Sequence, residues 1–330
     1  ATSPPQHVLL ISSYHPGFPT FFQQITGIKS VFAGKNILLD VEFMDKKRFA
    51  DDETEANFLT LLSHKLSHTK AYDAVMTADD DALLFLLKHK ARLFPSQPAV
   101  FFGVNNIATA KQQNMRRDIT GVIEAVSMQE TIALMLELLP ETTTVLALAD
   151  TTPSSLGDLA TFRSLAPVFP GLRFAELSLG DSSFGEFTGK LENIPADTAV
   201  LLLSAYVDKT GARMPFADSL KLIIDHLPRP LFHLWQHGLG EGILGGKVIS
   251  HEQQGRTAAE MVVRILGGEA ITSMPVVEQS PNVTVVDYQV LQKFNLPKNR
   301  LPPDTILINQ PHSFYNQYKY QIWLSLLFII

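Results

Sequence analysis

The chain has 330 residues, 45% of them hydrophobic, which is enough for two α/β cores and excludes a disordered chain. A net charge of −6, with 27 basic and 33 acidic residues spread without long blocks, leaves no footprint for nucleic acid. The absence of cysteine removes thiol catalysis and thiolate metal sites, and agrees with an oxidising compartment.

Residues 8–12 form a continuous apolar run, followed by a turn at Tyr14-His15-Pro16-Gly17 and an amphipathic helix over 19–32. The same alternation continues with strands at 38–43, 74–77 and 99–103 and helices near 53–68 and 81–89. Continuous apolar runs alternating with helices predict a parallel sheet covered on both faces. Residues 121–124 are expected to be an extended link, after which a helix over 128–139 opens a second cycle. That cycle places strands at 145–149, 173–177, 199–204 and 231–234, with helices near 155–169, 184–194 and 216–227. Residues 247–250 and 283–287 read as two further links, and the helix over 254–266, closed by Gly267-Gly268, is expected to return to the first lobe.

The fold class is therefore α/β: two doubly wound Rossmann-like lobes joined by a three-strand hinge. Lobe 1 is expected over 1–121 plus 252–280 and lobe 2 over 124–249 plus 283–312. Ligands of open α/β sheets bind outside the carboxyl ends of the strands, so the residues just after each strand are the candidates. From lobe 1 these are Ser13, Tyr14 and His15, then Thr77 and Asp79, then Asn105 and Asn106. Hydroxyls and backbone amides at a helix N-terminus suit a carboxylate, and Tyr14 offers an apolar face with a polar tip. Among Asp79, Asp80 and Asp81, one is expected to N-cap the following helix and another to face a ligand ammonium. From lobe 2 come Asp150 and Thr151, Ser204 and Tyr206, and Trp235 and Gln236; Asp208 and Glu241 are alternative ammonium partners. Each also reads as ordinary structure: His15 as a turn residue before proline, Trp235 as core.

The order of motifs resembles the substrate-binding proteins of ABC transporters with the type I periplasmic binding protein clamshell, in the tryptophan- and tyrosine-type branch. Ser13-Tyr14-His15-Pro16, VFFGVNN at 100–106, GVIEAVSMQETIALMLELLP at 121–140, and the stretch 245–275 with GRTAA and ILGGE carry it, over roughly 8–297. The tail departs from transporter-coupled members. LPPDTILINQPHSFYNQYKYQIW at 301–323 runs into the apolar residues 324–330. That resembles the version in which this domain is the periplasmic sensor of a histidine kinase or diguanylate cyclase in the inner membrane. Residues 313–330 are then a membrane-proximal stem and the start of a transmembrane helix, with Tyr315, Tyr318, Tyr320 and Trp323 as an interfacial belt. A buried C-terminal helix is the other reading.

The expected function is capture of a small polar ligand, such as an amino acid or other carboxylate, in the interlobe cleft, with lobe closure as the signal. The alternative is the substrate-binding component of an ABC transporter. The full-length protein admits a homodimer. No enzyme, cofactor or metal is expected. There is no GxxxxGK[ST], GxSxG or HExxH, and the pairs His64/His68 and His233/His237 lack an evident third ligand.

Overall fold

The computed structural model describes residues 4–311. The expected stem and membrane segment at 313–330 lie outside them; among the described residues, no helix is long and apolar enough to cross a membrane. The described residues form two compact units, residues 4–126 with 249–282, and residues 127–248 with 283–311.

In the first unit the order is β1 (Gln6–Ser12), α1 (Pro19–Phe32), β2 (Ile37–Phe43), α2 (Asp52–Ser67), β3 (Ala74–Ala78), α3 (Asp79–Leu93), β4 (Ala99–Val104), α4 (Ile107–Gln112) and β5 (Ile119–Ile123). All five strands pair parallel in the order β2-β1-β3-β4-β5. The order reverses between β1 and β3, so the loops leaving those two strands diverge and leave room at the carboxyl edge. In the second unit follow α5 (Met128–Leu138), β6 (Thr144–Ala149), α6 (Pro153–Ser164), β7 (Arg173–Ser178), α7 (Phe184–Glu192), β8 (Thr198–Leu202), α8 (Phe216–His226), β9 (Leu231–His233) and β10 (Gly245–Val248). The chain then gives α9 (His251–Leu266) to the first unit and returns with β11 (Val283–Asp287), α10 (Tyr288–Lys293) and β12 (Ile306–Ile308).

The second sheet has the order β12-β11-β10-β9-β8-β6-β7, and β10 pairs antiparallel with β11. The expected extended links lie at or beside the crossings between units, and part of each is paired in a sheet. Residues 245–248 and 283–287 are strands of this sheet and 119–123 is the edge strand of the first. Their peptide groups are buried and must be paired, which a free link would not achieve. The crossings between units are confined to the junctions at 126/127, 248/249 and 282/283.

The first sheet carries an apolar layer on each face. Leu9, Ile11, Val75, Phe101 and Ile123 pack with Phe58, Leu62, Phe85 and Leu86 from α2 and α3. Val8, Leu10, Met76, Val100 and Val122 pack with Phe21, Ile25 and Ile28 from α1 and Ala258, Ala259 and Val262 from α9. This is the period-two alternation of a strand buried on both sides. The helices α1 and α9 meet backbone to backbone: a Cβ on Gly27 would lie 2.0 Å from the Glu252 carbonyl oxygen, and one on Gly255 2.3 Å from that of Gln24.

Helix α3 starts differently from the expectation. Its N-cap position is Ala78, with no side-chain cap, and Asp79 is already its first residue. The capping comes from β1. Ser13 Oγ accepts from the Ala82 amide at 2.8 Å and donates to the Ala78 carbonyl at 2.6 Å.

Candidate functional site

The carboxyl edge of the first sheet is acidic. Asp79 sits at φ +69, in the left-handed region, and is 6% exposed. Among the described residues its carboxylate accepts hydrogen bonds only from Gln24 Nε2 of α1, at 3.4 Å from each oxygen. Gly103 makes space for it: this residue has φ +68, and a Cβ there would lie 2.8 Å from Asp79 Oδ1. Gln254 of α9, fully buried, fixes Gly103 by accepting from its amide at 3.0 Å. The same side chain donates to the Ile123 carbonyl at 3.0 Å and to Ser280 Oγ at 3.1 Å.

Glu124 follows β5 as Asp79 follows β3, and is 4% exposed. Asn105 Nδ2 donates to its Oε1 at 3.2 Å, while the Asn105 and Asn106 amides donate to Asp80 at 3.2 and 3.0 Å. One loop after β4 therefore ties the acids of β3 and β5 together. Glu124 Oε2 lies 3.3 Å from His251 Nδ1, within reach for charge attraction, but the angle makes no hydrogen bond and both atoms are left without one. Burial, and then the neighbouring charge of Glu124, push the Asp79 carboxyl well above its ordinary value. Burial and the charges of Asp79, Asp81, Asp80 and Glu124 likewise raise the Tyr14 phenol.

Tyr14 packs on Phe18 with ring centroids 4.4 Å apart, and Lys47 Nζ stands 4.9 Å above the Tyr14 ring. His15 Nδ1 accepts from the Gly17 amide at 3.1 Å, which is a turn. Thr77 is wholly buried, and its hydroxyl has no hydrogen-bond partner. The structure thus gathers Tyr14, Asp79 and Asn105 at one edge. It puts Ser13 and Thr77 beneath that edge and leaves Asn106 exposed, capping α4 through the Thr109 amide at 3.1 Å.

In the second unit Asp150 is a knot. Its Oδ1 accepts from the Thr152 amide at 2.9 Å and hydroxyl at 2.6 Å; its Oδ2 accepts from Ser204 Oγ at 2.8 Å and the Tyr206 amide at 2.7 Å. Burial works to raise its pKa, but the bonds from Thr152, Tyr206 and Ser204 outweigh it and hold the group below the ordinary value. All four acceptor directions are used, so Asp150 and Ser204 shape the loops after β6 and β8. Asp150→Asn would set an NH2 against two of those donors. A loss of about 2–3 kcal/mol is expected in urea unfolding at pH 7. The loss shrinks as pH falls through the lowered pKa of the native carboxyl, because wild type then forfeits the same acceptors. Asp208 is likewise consumed, by the amides of Thr210, Ala212 and Phe184.

Around that knot lies an aromatic group. Phe216 is stacked on His233 at 5.9 Å, meets His237 edge-on at 4.4 Å and lies 6.1 Å from Tyr206; Trp235 is 6.2 Å from His237. Trp235 and Gln236 are half-buried and stand in the loop after β9, and Thr151 is exposed. Sequence reasoning missed Glu124, Gln24, Gln254 and Phe216. Glu124 carried a signal: a charged residue directly after the apolar run ITGVI, as Asp79 follows AVMTA. Gln254 carried none, since an amphipathic pattern counts glutamine as outward-facing.

A family model described as ABC transporter substrate binding protein matches residues 40–300. No curated protein matches the chain. Among solved structures, a ligand-free, open substrate-binding protein with adhesive properties from Clostridium difficile aligns with TM-score 0.68 and 16% identity, over 93% of this chain and 100% of its own. A domain from Streptococcus pneumonia in complex with L-Trp aligns with TM-score 0.57 and 16% identity, over 92% and 100%. A conserved domain protein from Vibrio cholerae aligns with TM-score 0.57 and 15% identity, over 92% and 99%. At these identities the likeness is one of fold.

Proposed function

We propose that this chain, which belongs to the ABC transporter substrate-binding protein family, is the periplasmic ligand-binding sensor domain of an inner-membrane histidine kinase or diguanylate cyclase. It takes a small polar molecule, such as an amino acid, between its two units, and closure of the lobes is the signal. Ligand drives closure only through its higher affinity for the closed state. One observation carries the binding half of this reading. Each sheet turns unspent recognition chemistry to its carboxyl edge: the buried acids Asp79 and Glu124 in one unit, the aromatic group around Phe216 in the other. The ligand-binding residues offered are Tyr14, Asp79, Asn105, Tyr206, Trp235 and Gln236, with Glu124 added. Ser13, Asp150 and Ser204 support them, and His15, Thr77, Asn106 and Thr151 flank them.

The sensor half rests on the sequence of residues 313–330, where tyrosines and Trp323 precede an apolar run. The family description favours a second reading, the substrate-binding component of an ABC transporter, which would not need such a run.

A thermal-shift screen of the 330-residue chain against amino acids, amines, carboxylates, nucleosides and sugars tests binding. A ligand at 100 times its Kd adds about 2.7 kcal/mol of stability. Silence across the panel from a folded protein would sink the small-molecule reading. With a ligand in hand, a change in kinase or cyclase output of the full-length protein supports the sensor. Loss of ligand uptake on deletion, with output unchanged, supports the transporter component instead.

A further inference from the structure

Two carboxylates, each more than nine-tenths buried, stand at one edge of the first unit. Among the described residues neither Asp79 nor Glu124 forms an ion pair with a lysine or arginine; Lys47 is drawn instead over the faces of Tyr14 and Phe18, at 4.9 and 5.8 Å. Among the described residues His251 is the one basic group within ion-pair reach of Glu124, and its Nδ1 makes no hydrogen bond there. Among the described residues Glu124 Oε2 is a buried acceptor with no hydrogen bond, His251 Nδ1 standing 3.3 Å away, and Asp79 has two long contacts to one amide. Acceptors left in this condition are costly unless something completes them. A ligand group that completes both acids at once is one that is positively charged and donates hydrogen bonds.

We propose that the ligand carries a primary ammonium group, which is held between Asp79 and Glu124 against the Tyr14–Phe18 face and is the feature this protein selects. The inference rests on the small-molecule reading above and narrows it. An ammonium offers three donors, enough for Glu124 Oε2 and the Asp79 oxygens, and its charge suits the ring face. A quaternary amine has the charge but no donor and leaves Glu124 Oε2 orphaned. A carboxylate without an amine meets two acids and is repelled, so of the amino acids and simple carboxylates expected from the sequence only the former remain. In the empty protein, burial and mutual repulsion favour keeping a proton on Asp79, and the arriving ammonium displaces it.

The test uses matched ligands on wild type and then two isosteric variants. Each amino acid is screened with its decarboxylated amine, its desamino acid and its N-trimethyl form, by thermal shift and titration calorimetry. Expected are binding of the amino acid or amine, and at least ~100-fold weaker binding of the desamino and trimethyl forms. Glu124→Gln and Asp79→Asn should each weaken the amine by ~100-fold, while Asp79→Asn raises the melting temperature of the empty protein. Asparagine tolerates the left-handed backbone and is neutral without having to hold a proton beside Glu124. A site that merely held structure together would melt lower. If a desamino acid or a sugar binds and amines do not, the inference is overturned while the small-molecule reading stands. If nothing in the wider panel binds, that reading falls and this one with it. The wild-type comparison decides the matter even if one variant fails to fold.

Discussion

Gly255→Ala is expected to lower the free energy of unfolding by about 2–4 kcal/mol, although helix propensity alone favours alanine there by about 1 kcal/mol. The new methyl would stand 2.3 Å from the Gln24 carbonyl oxygen, a backbone atom that can retreat only if the whole of α1 moves. Gly27 is the reciprocal position, with its Cβ site 2.0 Å from the Glu252 carbonyl oxygen. Once one methyl has parted the helices, the second costs less. The double variant should therefore fall short of additivity by about 1 kcal/mol or more in urea unfolding. Gly189→Ala in α7 is the control: nothing lies within 4 Å of its Cβ site, so it should stabilise by about 0.5–1 kcal/mol. The damage also reaches the acidic carboxyl edge of the first sheet. Gln24, which faces Asp79, is on α1, and Gln254, which holds Gly103, is on α9. Parting the helices separates the acid from the space made for it, so affinity falls with stability. If Gly255→Ala behaved like Gly189→Ala, the close crossing would be refuted.

The apolar runs at 8–12, 74–77 and 99–103 announced β1, β3 and β4 because a strand buried on both faces admits no polar residue. The pairing of residues 245–248 with 283–286 was not legible, because it joins antiparallel segments more than thirty residues apart and local pattern does not encode a distant partner. At the site, the position of Asp79 after a strand was legible but its left-handed backbone was not. That conformation is sustained by Gly103, on a neighbouring strand and unremarkable in its own stretch. Glu124 was hidden by the reading of 121–124 as a link: a residue read as hinge is not weighed as the end of a strand. Ser13 and Asp150 were picked out for being polar after a strand. Their oxygens, though, are spent on the turns that place other side chains, Ala82 for the one and Thr152 and Tyr206 for the other.

Acidification from pH 6.5 to 4.5 is expected to cost the protein about 2–3 kcal/mol through His233 alone. This side chain is 1% exposed. Its Nδ1 lies 2.9 Å from the Leu202 carbonyl oxygen, which can only accept, so Nδ1 carries the proton. Nε2 is then a lone pair, 3.2 Å from His237 Nε2, which must donate to it. A second proton on His233 has nowhere to go: Phe216 covers the ring and His237 already points a hydrogen at the free nitrogen. Burial, and then the charge of His237, push the pKa down to about 3, against the opposing bond to Leu202. In the unfolded chain the same imidazole titrates near 6.5. Above that pH neither state is protonated and the stability is complete. Below it the unfolded chain gains a proton that the native state refuses, and stability drains at up to ~1.4 kcal/mol per pH unit until about pH 3. His233→Phe separates this from the carboxylates. It costs about 1–3 kcal/mol at pH 7.5, where the Leu202 carbonyl loses its donor, but it removes the proton uptake. Urea unfolding at half-unit steps should therefore show the variant's deficit shrinking as pH falls, with the two curves converging near pH 5. Parallel curves would mean that His233 accepts its proton in the native state. Because the ring is packed with Phe216 beside Tyr206, the same acidification should loosen this aromatic group before the protein as a whole unfolds.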